Sequence, residues 1–201
     1  MSRRYRNARF LTGAPDRTGA PPDVGREVAF AGRSNAGKSS VLNALAGRRG
    51  LARVSRSPGR TQLLNFFEVG PTRRLVDLPG YGYAKVPRAL KARWERSVTD
   101  YLERRRSLCG IILVMDIRHP LGAGDENLLR WCAAASLPVH ALLTKADKLS
   151  RNRVNIARMQ VLREMNGRGP DVGVQVFSSL QGTGLDELEA VLDRWLGDAD
   201  A

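Results

Sequence analysis

The sequence predicts an α/β fold: a mostly parallel six-stranded sheet with one antiparallel strand, and helices on both faces to make three layers. Three observations predict it. Short apolar runs alternate with longer segments of helical period along most of the chain. Two of these runs flank a Gly70–Pro71 turn, so one strand pairs with its neighbour as a hairpin. Gly32 to Ser39 fits the spacing G-x-x-x-x-G-K-[ST] between a strand and a helix.

The elements follow in order. Residues 1–25 mix Arg, Gly, Pro and Asp and read as a flexible or surface-draped basic arm. The rest, 26–201, reads as one domain. "EVAFAG" (27–32) is a buried strand that stops at glycine, and "KSSVLNALAG" (38–47) is a helix. Residues 48–62 have no period and read as a mobile basic loop. "LLNFFEV" and "RRLVDL" form the hairpin, and "PGYGYAKVP" (79–87) is a loop. Residues 88–106 place Leu90, Trp94, Val98, Tyr101 and Leu102 on one helical stripe. "CGIILVMD" (109–116) is the clearest buried strand. A helix near 123–135, a strand at 138–144, a helix near 150–165, a strand near "VGVQVFSS" and a helix near 184–197 complete the pattern. In such sheets ligands bind at the C-terminal strand ends, so the chemistry belongs in the loops after 32, 77, 116, 144 and 177.

Composition excludes several classes. The chain has 201 residues and 42% hydrophobic content, too apolar for a disordered tail. No stretch reaches the ~18 apolar residues of a membrane helix. The N-terminal arginines are followed by no apolar block, which argues against a secretory signal. Cys109 and Cys132 lie in apolar segments without metal-ligand spacing and read as buried free thiols, so a cytoplasmic setting is expected. The net charge of +13 is lopsided: residues 1–106 hold 23 basic and 8 acidic residues, residues 107–201 hold 10 and 12. A basic half suits a polyanionic partner.

Three motifs carry chemistry. In Gly32-Arg33-Ser34-Asn35-Ala36-Gly37-Lys38-Ser39, glycines let the backbone wrap a phosphate, and amides and the helix N-terminus face the anion. Lys38 can reach the β and γ oxygens, and the Ser39 hydroxyl can hold Mg²⁺. Asp77-Leu78-Pro79-Gly80 ends a strand, where Asp77 can organise Mg²⁺ through water and the Gly80 amide can meet a γ-phosphate. Thr144-Lys145-Ala146-Asp147 follows a strand, and the Asp147 carboxylate can accept from guanine N1–H and N2–H₂, donors that adenine lacks in that arrangement. The aliphatic part of Lys145 would cover the base, and the Ser178–Ser179 loop would offer an amide to guanine O6. Alone, Asp147 could equally cap the helix beginning near 150. His119, His140, Trp94 and Trp131 read as packing residues.

These motifs together place the chain among P-loop GTPases. "VAFAGRSNAGKSSVLNAL", "SPGRTQLLNFF", "LVDLPGYGYAKV", "MDIRHPL", "LTKADKLS" and "SSLQGTGLDEL" resemble the EngB-type ribosome-biogenesis GTP-binding family from about residue 26 to 196. The resemblance implies a cytosolic GTPase assisting assembly of the large ribosomal subunit, with rRNA as partner and growth and septation dependent on it. It implies that Thr61 meets Mg²⁺ and the γ-phosphate, and that Ser40 and Gly59 also line the nucleotide. Ser57 departs from the threonine expected there but keeps a hydroxyl. Ras-type proteins place glutamine after D-x-x-G, and here the residue is Tyr81, so slow intrinsic hydrolysis is expected. Asn35 in related GTPases holds K⁺, which makes Lys38, Thr61, Asn35 and Gly80 the catalytic candidates. A monomer is expected. Two alternatives stay open: a GTPase module acting on another target such as tRNA modification, and a small-molecule kinase that would not need residues 144–147.

Overall fold

The structure, a computed structural model, describes residues 3–52, 63–82, 88–167 and 172–197. Its helices are α1 (Arg3–Arg6), α2 (Lys38–Leu45), α3 (Arg88–Arg104), α4 (Ala123–Ala134), α5 (Arg151–Met165) and α6 (Leu185–Leu196). Its strands are β1 (Arg9–Ala14), β2 (Arg26–Gly32), β3 (Leu64–Gly70), β4 (Arg73–Asp77), β5 (Leu108–Asp116), β6 (Val139–Thr144) and β7 (Val172–Val176). They form one sheet in the order β1-β3-β4-β2-β5-β6-β7. β2 pairs in parallel with β4 and β5, β5 with β6, and β6 with β7. β3 runs antiparallel to β4, as the hairpin reading expects.

One strand exceeds the six read from sequence. The N-terminal arm, read as loop, supplies β1, which pairs antiparallel with β3 and makes the sheet seven-stranded. The signal was absent because Phe10 and Leu11 are exposed and no apolar alternation marks the strand. The arm is also anchored upstream. Tyr5 is fully buried, and its hydroxyl donates to Asp193 of α6 at 2.7 Å.

Helices cover both faces because the central strands are apolar on both sides. α1, α2 and α6 pack on one face, around Phe30, Ile112, Val114 and Leu142. α3, α4 and α5 pack on the other, around Ala29, Ile111, Leu113 and Leu143. A Cβ at Gly110 would lie 2.5 Å from the Trp195 ring, so this strand glycine is what admits α6 to the sheet. At the N-terminal end of the strands, the buried Glu27 carboxylate accepts from Arg74, Arg105 and Tyr101. That network locks β2, β4 and α3 together and leaves the opposite end free for loops.

Candidate functional site

The site lies at the C-terminal strand ends. β2 ends at Gly32, whose Cβ would fall 2.2 Å from the Val114 carbonyl, so only glycine fits. The chain then turns through Asn35 (φ 62°) and Gly37 (φ 109°) into α2. No side chain caps α2, and its first bond runs from Val41 N–H to the Gly37 carbonyl. The amides of Gly37, Lys38, Ser39 and Ser40 have no backbone acceptor among the described residues, which makes this turn an anion cradle. The Arg33 side chain is exposed beside Gly122, and the Ala36 amide is spent on the Arg33 carbonyl at 3.0 Å.

Lys38 and Asp77 are both buried under that cradle, where each feels the other's charge. Lys38 is 9% exposed, with Nζ 3.4 Å from the Gly32 carbonyl. Burial pushes its pKa down, and Asp77 opposes this. Burial raises the Asp77 carboxyl to about 6 against the pull of Lys38. Asp77 Oδ1 and Ser34 Oγ are both buried without a hydrogen-bond partner. Buried orphan polar atoms are costly unless a ligand completes them. A phosphate with Mg²⁺ fits this donor set: amides and Lys38 for the anion, with Ser39 and Asp77 for the metal.

Gly80 packs against the same cradle. A Cβ there would lie 3.0 Å from Ser34 Oγ and 3.1 Å from Lys38 Nζ. The next residue, Tyr81, bridges to the cradle through its carbonyl, which accepts from Ser34 N–H at 2.9 Å. Its hydroxyl instead donates to Asp125 Oδ1 of α4 at 2.6 Å. Asp125 Oδ2 accepts from the Gly122 amide at 2.8 Å. Tyr81 therefore ties its loop to α4 rather than pointing into the cradle.

The loops after β6 and β7 form the second half. Asp147 lies in a 3-10 turn at Ala146–Lys148, and Ser150 takes the N-cap position of α5, so Asp147 is no cap for that helix. Its Oδ1 accepts from the Ser178 hydroxyl at 2.7 Å, and Lys148 lies 3.3 Å from Oδ2. The Ser178 bond holds the carboxyl below its ordinary pKa. It is thus an oriented, ionised acceptor. The Ser178 amide is spent on the Thr183 carbonyl, while the Ser179 amide has no such partner among the described residues.

Thr144 and Lys145 join the two halves. The buried Thr144 hydroxyl bonds to the carbonyls of Ala36 and Met115, so it clamps the cradle rather than facing a base. Lys145 Nζ donates to the Asn35 carbonyl at 2.7 Å and lies 2.9 Å from Asp116 Oδ2. Burial works to raise the Asp116 pKa, but hydrogen bonds from Arg118 and Lys145 outweigh it and hold the carboxyl well below the usual range. Asp116 and Asp125 are the site residues that sequence reasoning missed. Asp116 at the end of an apolar strand is the same signal that marked Asp77. Asp125 has no such mark, because its partner lies 44 residues away. Thr61, Gly59 and Ser57 fall outside the described residues. His119 is exposed in a turn after β5, and His140 is buried against Gln175 at 2.9 Å.

An amide-lined turn over a buried lysine and a buried aspartate, with an oriented carboxylate two strands away, defines a P-loop nucleotide-binding protein of the GTPase class. The family model described as "50S ribosome-binding GTPase" matches residues 27–145. A probable GTP-binding protein EngB of Coxiella burnetii is 52% identical over 191 residues, spanning 95% of this chain and 93% of that protein. Its counterpart in Nitrosococcus oceani is 50% identical over 197 residues, 98% of each. The crystal structure of a probable GTP-binding protein EngB superposes with a TM-score of 0.68 at 20% identity, covering 85% of this chain and 98% of that one. An Era structure from Aquifex aeolicus superposes at 0.64 over 86% of this chain and 57% of its own, at 22% identity. The chain belongs to the EngB family of GTP-binding proteins, and the GTPase class sets its reaction.

Proposed function

We propose that this protein is a GTP-hydrolysing switch that assists assembly of the large ribosomal subunit in the cytoplasm, and that growth and septation depend on it. The observation that carries the guanine part is the Asp147 carboxylate, fixed by Ser178 at the same sheet edge as the phosphate cradle. The ribosomal part is supported by the family description and by the basic N-terminal half. Among the described residues no helix is long and apolar enough to cross a membrane.

In this reading Ser39, Thr61 and Asp77 would hold Mg²⁺, which would supply compensation of phosphate charge. Gly80 and Thr61 sense the γ-phosphate, so its loss releases both switch loops. Those loops carry Arg48, Arg49, Arg53, Arg56, Arg60 and Lys85, and Arg88 opens α3 directly after the second, a basic set for rRNA phosphates. Protein loaded with a GTP analogue should sediment with large-subunit precursor particles at low salt and leave them as salt rises. Association indifferent to nucleotide and salt contradicts the reading.

Hydrolysis is slow here because Tyr81 offers no water-orienting amide and its hydroxyl is engaged by Asp125. An unassisted rate of roughly 10⁻⁴–10⁻² s⁻¹ is expected. Asn35 is exposed at the cradle, with its carbonyl, not its side chain, bound to Lys145. Its side-chain carbonyl oxygen, without a hydrogen bond among the described residues, would hold K⁺ where an arginine would otherwise compensate charge. Turnover should therefore be faster in KCl than in NaCl at equal ionic strength, and Asn35→Ala should erase the difference. Equal rates in the two salts remove Asn35 from catalysis.

A further inference from the structure

The outer face of α5 carries charge that the fold does not use. The helix packs on the sheet through Val154, Ala157, Val161 and Met165. Facing away, Arg151, Arg153, Arg158 and Arg163 are all exposed. Arg4, Arg9, Arg17, Arg74, Arg105 and Arg118 each pair with a carboxylate. None of the four α5 guanidinium groups has an ion pair or hydrogen bond among the described residues. Glu164 is the only acid in the helix.

Two further features separate this stripe from general basicity. It stands in the half of the chain where acids outnumber bases, 12 to 10. It also encloses an apolar ridge: Ile156 is 59% exposed, Met159 47% and Leu162 38%. At helical spacing, Ile156 and Met159 project outward, with Arg153 on one flank and Arg151 and Arg158 on the other.

We propose that this face of α5 is a docking surface for structured RNA. Guanidinium groups fork onto phosphate oxygens and stack on bases, and the short ridge between them lies against sugar and base faces. At 15 residues the helix is about 22 Å long, enough to follow several phosphates. A ridge of three side chains on a helix held by the sheet is too small an apolar face to anchor in a bilayer. The inference rests on the ribosomal reading above and adds a second contact to it. α5 carries neither Thr61 nor Gly80, so this contact is constant across nucleotide states, whereas the switch loops are not.

The test compares wild type with the triple variant Arg153→Gln, Arg158→Gln, Arg163→Gln. Binding is read on a synthetic RNA hairpin by fluorescence anisotropy and on large-subunit precursor particles by sedimentation. Thermal unfolding and GTP affinity should match wild type, because these side chains have no hydrogen bond or ion pair among the described residues. RNA affinity should fall at least tenfold with either GDP or a GTP analogue, and the slope of log K against log salt should drop by about 2–3. The matching Lys triple should keep the slope and recover part of the affinity. If the Gln triple binds hairpin and particles as wild type does, the α5 surface is overturned and the ribosomal reading stands. If it loses particles but keeps the hairpin, the partner is a ribosomal protein and the RNA proposal fails. If wild type binds only anionic phosphatidylglycerol vesicles, or neither RNA nor particles, both readings fail.

Discussion

Asp147→Asn should exchange the purine that the protein holds. GTP loses one hydrogen bond to a charged acceptor, about 1.5–3 kcal/mol, and the other weakens to a neutral bond of about 0.5–1.5 kcal/mol, so affinity falls roughly a hundred- to a thousand-fold. The amide introduced can still accept from N1–H, but it now offers N–H where guanine also offers N–H. Xanthosine triphosphate carries a carbonyl at that position and should bind the variant better than GTP. The fold should be untouched, since Asp147 sits in a loop turn and its Ser178 partner can still donate to the amide oxygen. Titration calorimetry with both nucleotides checks this. Undiminished GTP binding by the variant means that Asp147 does not read the base.

Glu27→Ala should be the costliest single change to stability. The carboxylate is fully buried, with Arg74 at 2.6 Å, Arg105 at 2.7 and 2.9 Å and Tyr101 at 3.0 Å. Removing it takes the counter-charge from Arg74 and leaves Arg105 only Asp23 at 3.5 Å, with both arginines just 6% exposed. Breaking such a pair costs about 3–5 kcal/mol. For a domain of this size that lowers Tm by about 6–20 °C. Both arginines also donate to backbone carbonyls, Arg105 to Pro21 and Arg74 to Pro22, so the damage spreads to the segment before β2. Glu27→Gln keeps an acceptor and should fall between the two. Nucleotide affinity at low temperature should barely move, because the network is at the far end of the strands. A Tm within about 2 °C of wild type would show that the arginines find other partners.

The contrast between these residues explains what the sequence made legible. Asp147, Asp77 and Lys38 sit at fixed offsets from strand ends, and each brings a local pattern: a terminating apolar run, a glycine, a following helix. Those offsets place the cradle, the Gly80 loop and the base loop on one sheet edge without any long-range knowledge. Glu27 and Arg105 are 78 residues apart, and Tyr81 and Asp125 are 44 apart, and no period connects them. β1 was missed for a related reason: its pairing with β3 defines it, while its own side chains are largely exposed. Thr144 was read as part of the base reader because its motif neighbours are. Only its burial, with bonds to Ala36 and Met115, shows that it braces the cradle.

That brace bears on how the site works. Thr144 and Lys145 bind the phosphate turn directly to the base loop, and Asp116 fixes Lys145 from the neighbouring strand. The two halves of the site form one hydrogen-bonded frame, with Tyr81 and Asp125 fastening the Gly80 loop to α4 at its side. In the proposed reading, selection of the base and grip on the phosphates therefore share one scaffold.

Calorimetry on the unmodified protein with Mg²⁺, titrating GTP and then ATP, tests that frame most directly. Asp147 should admit GTP and hold ATP at least a hundredfold weaker, since adenine leaves an ionised acceptor unpaired. Comparable uptake of the two nucleotides, or of neither, would contradict it.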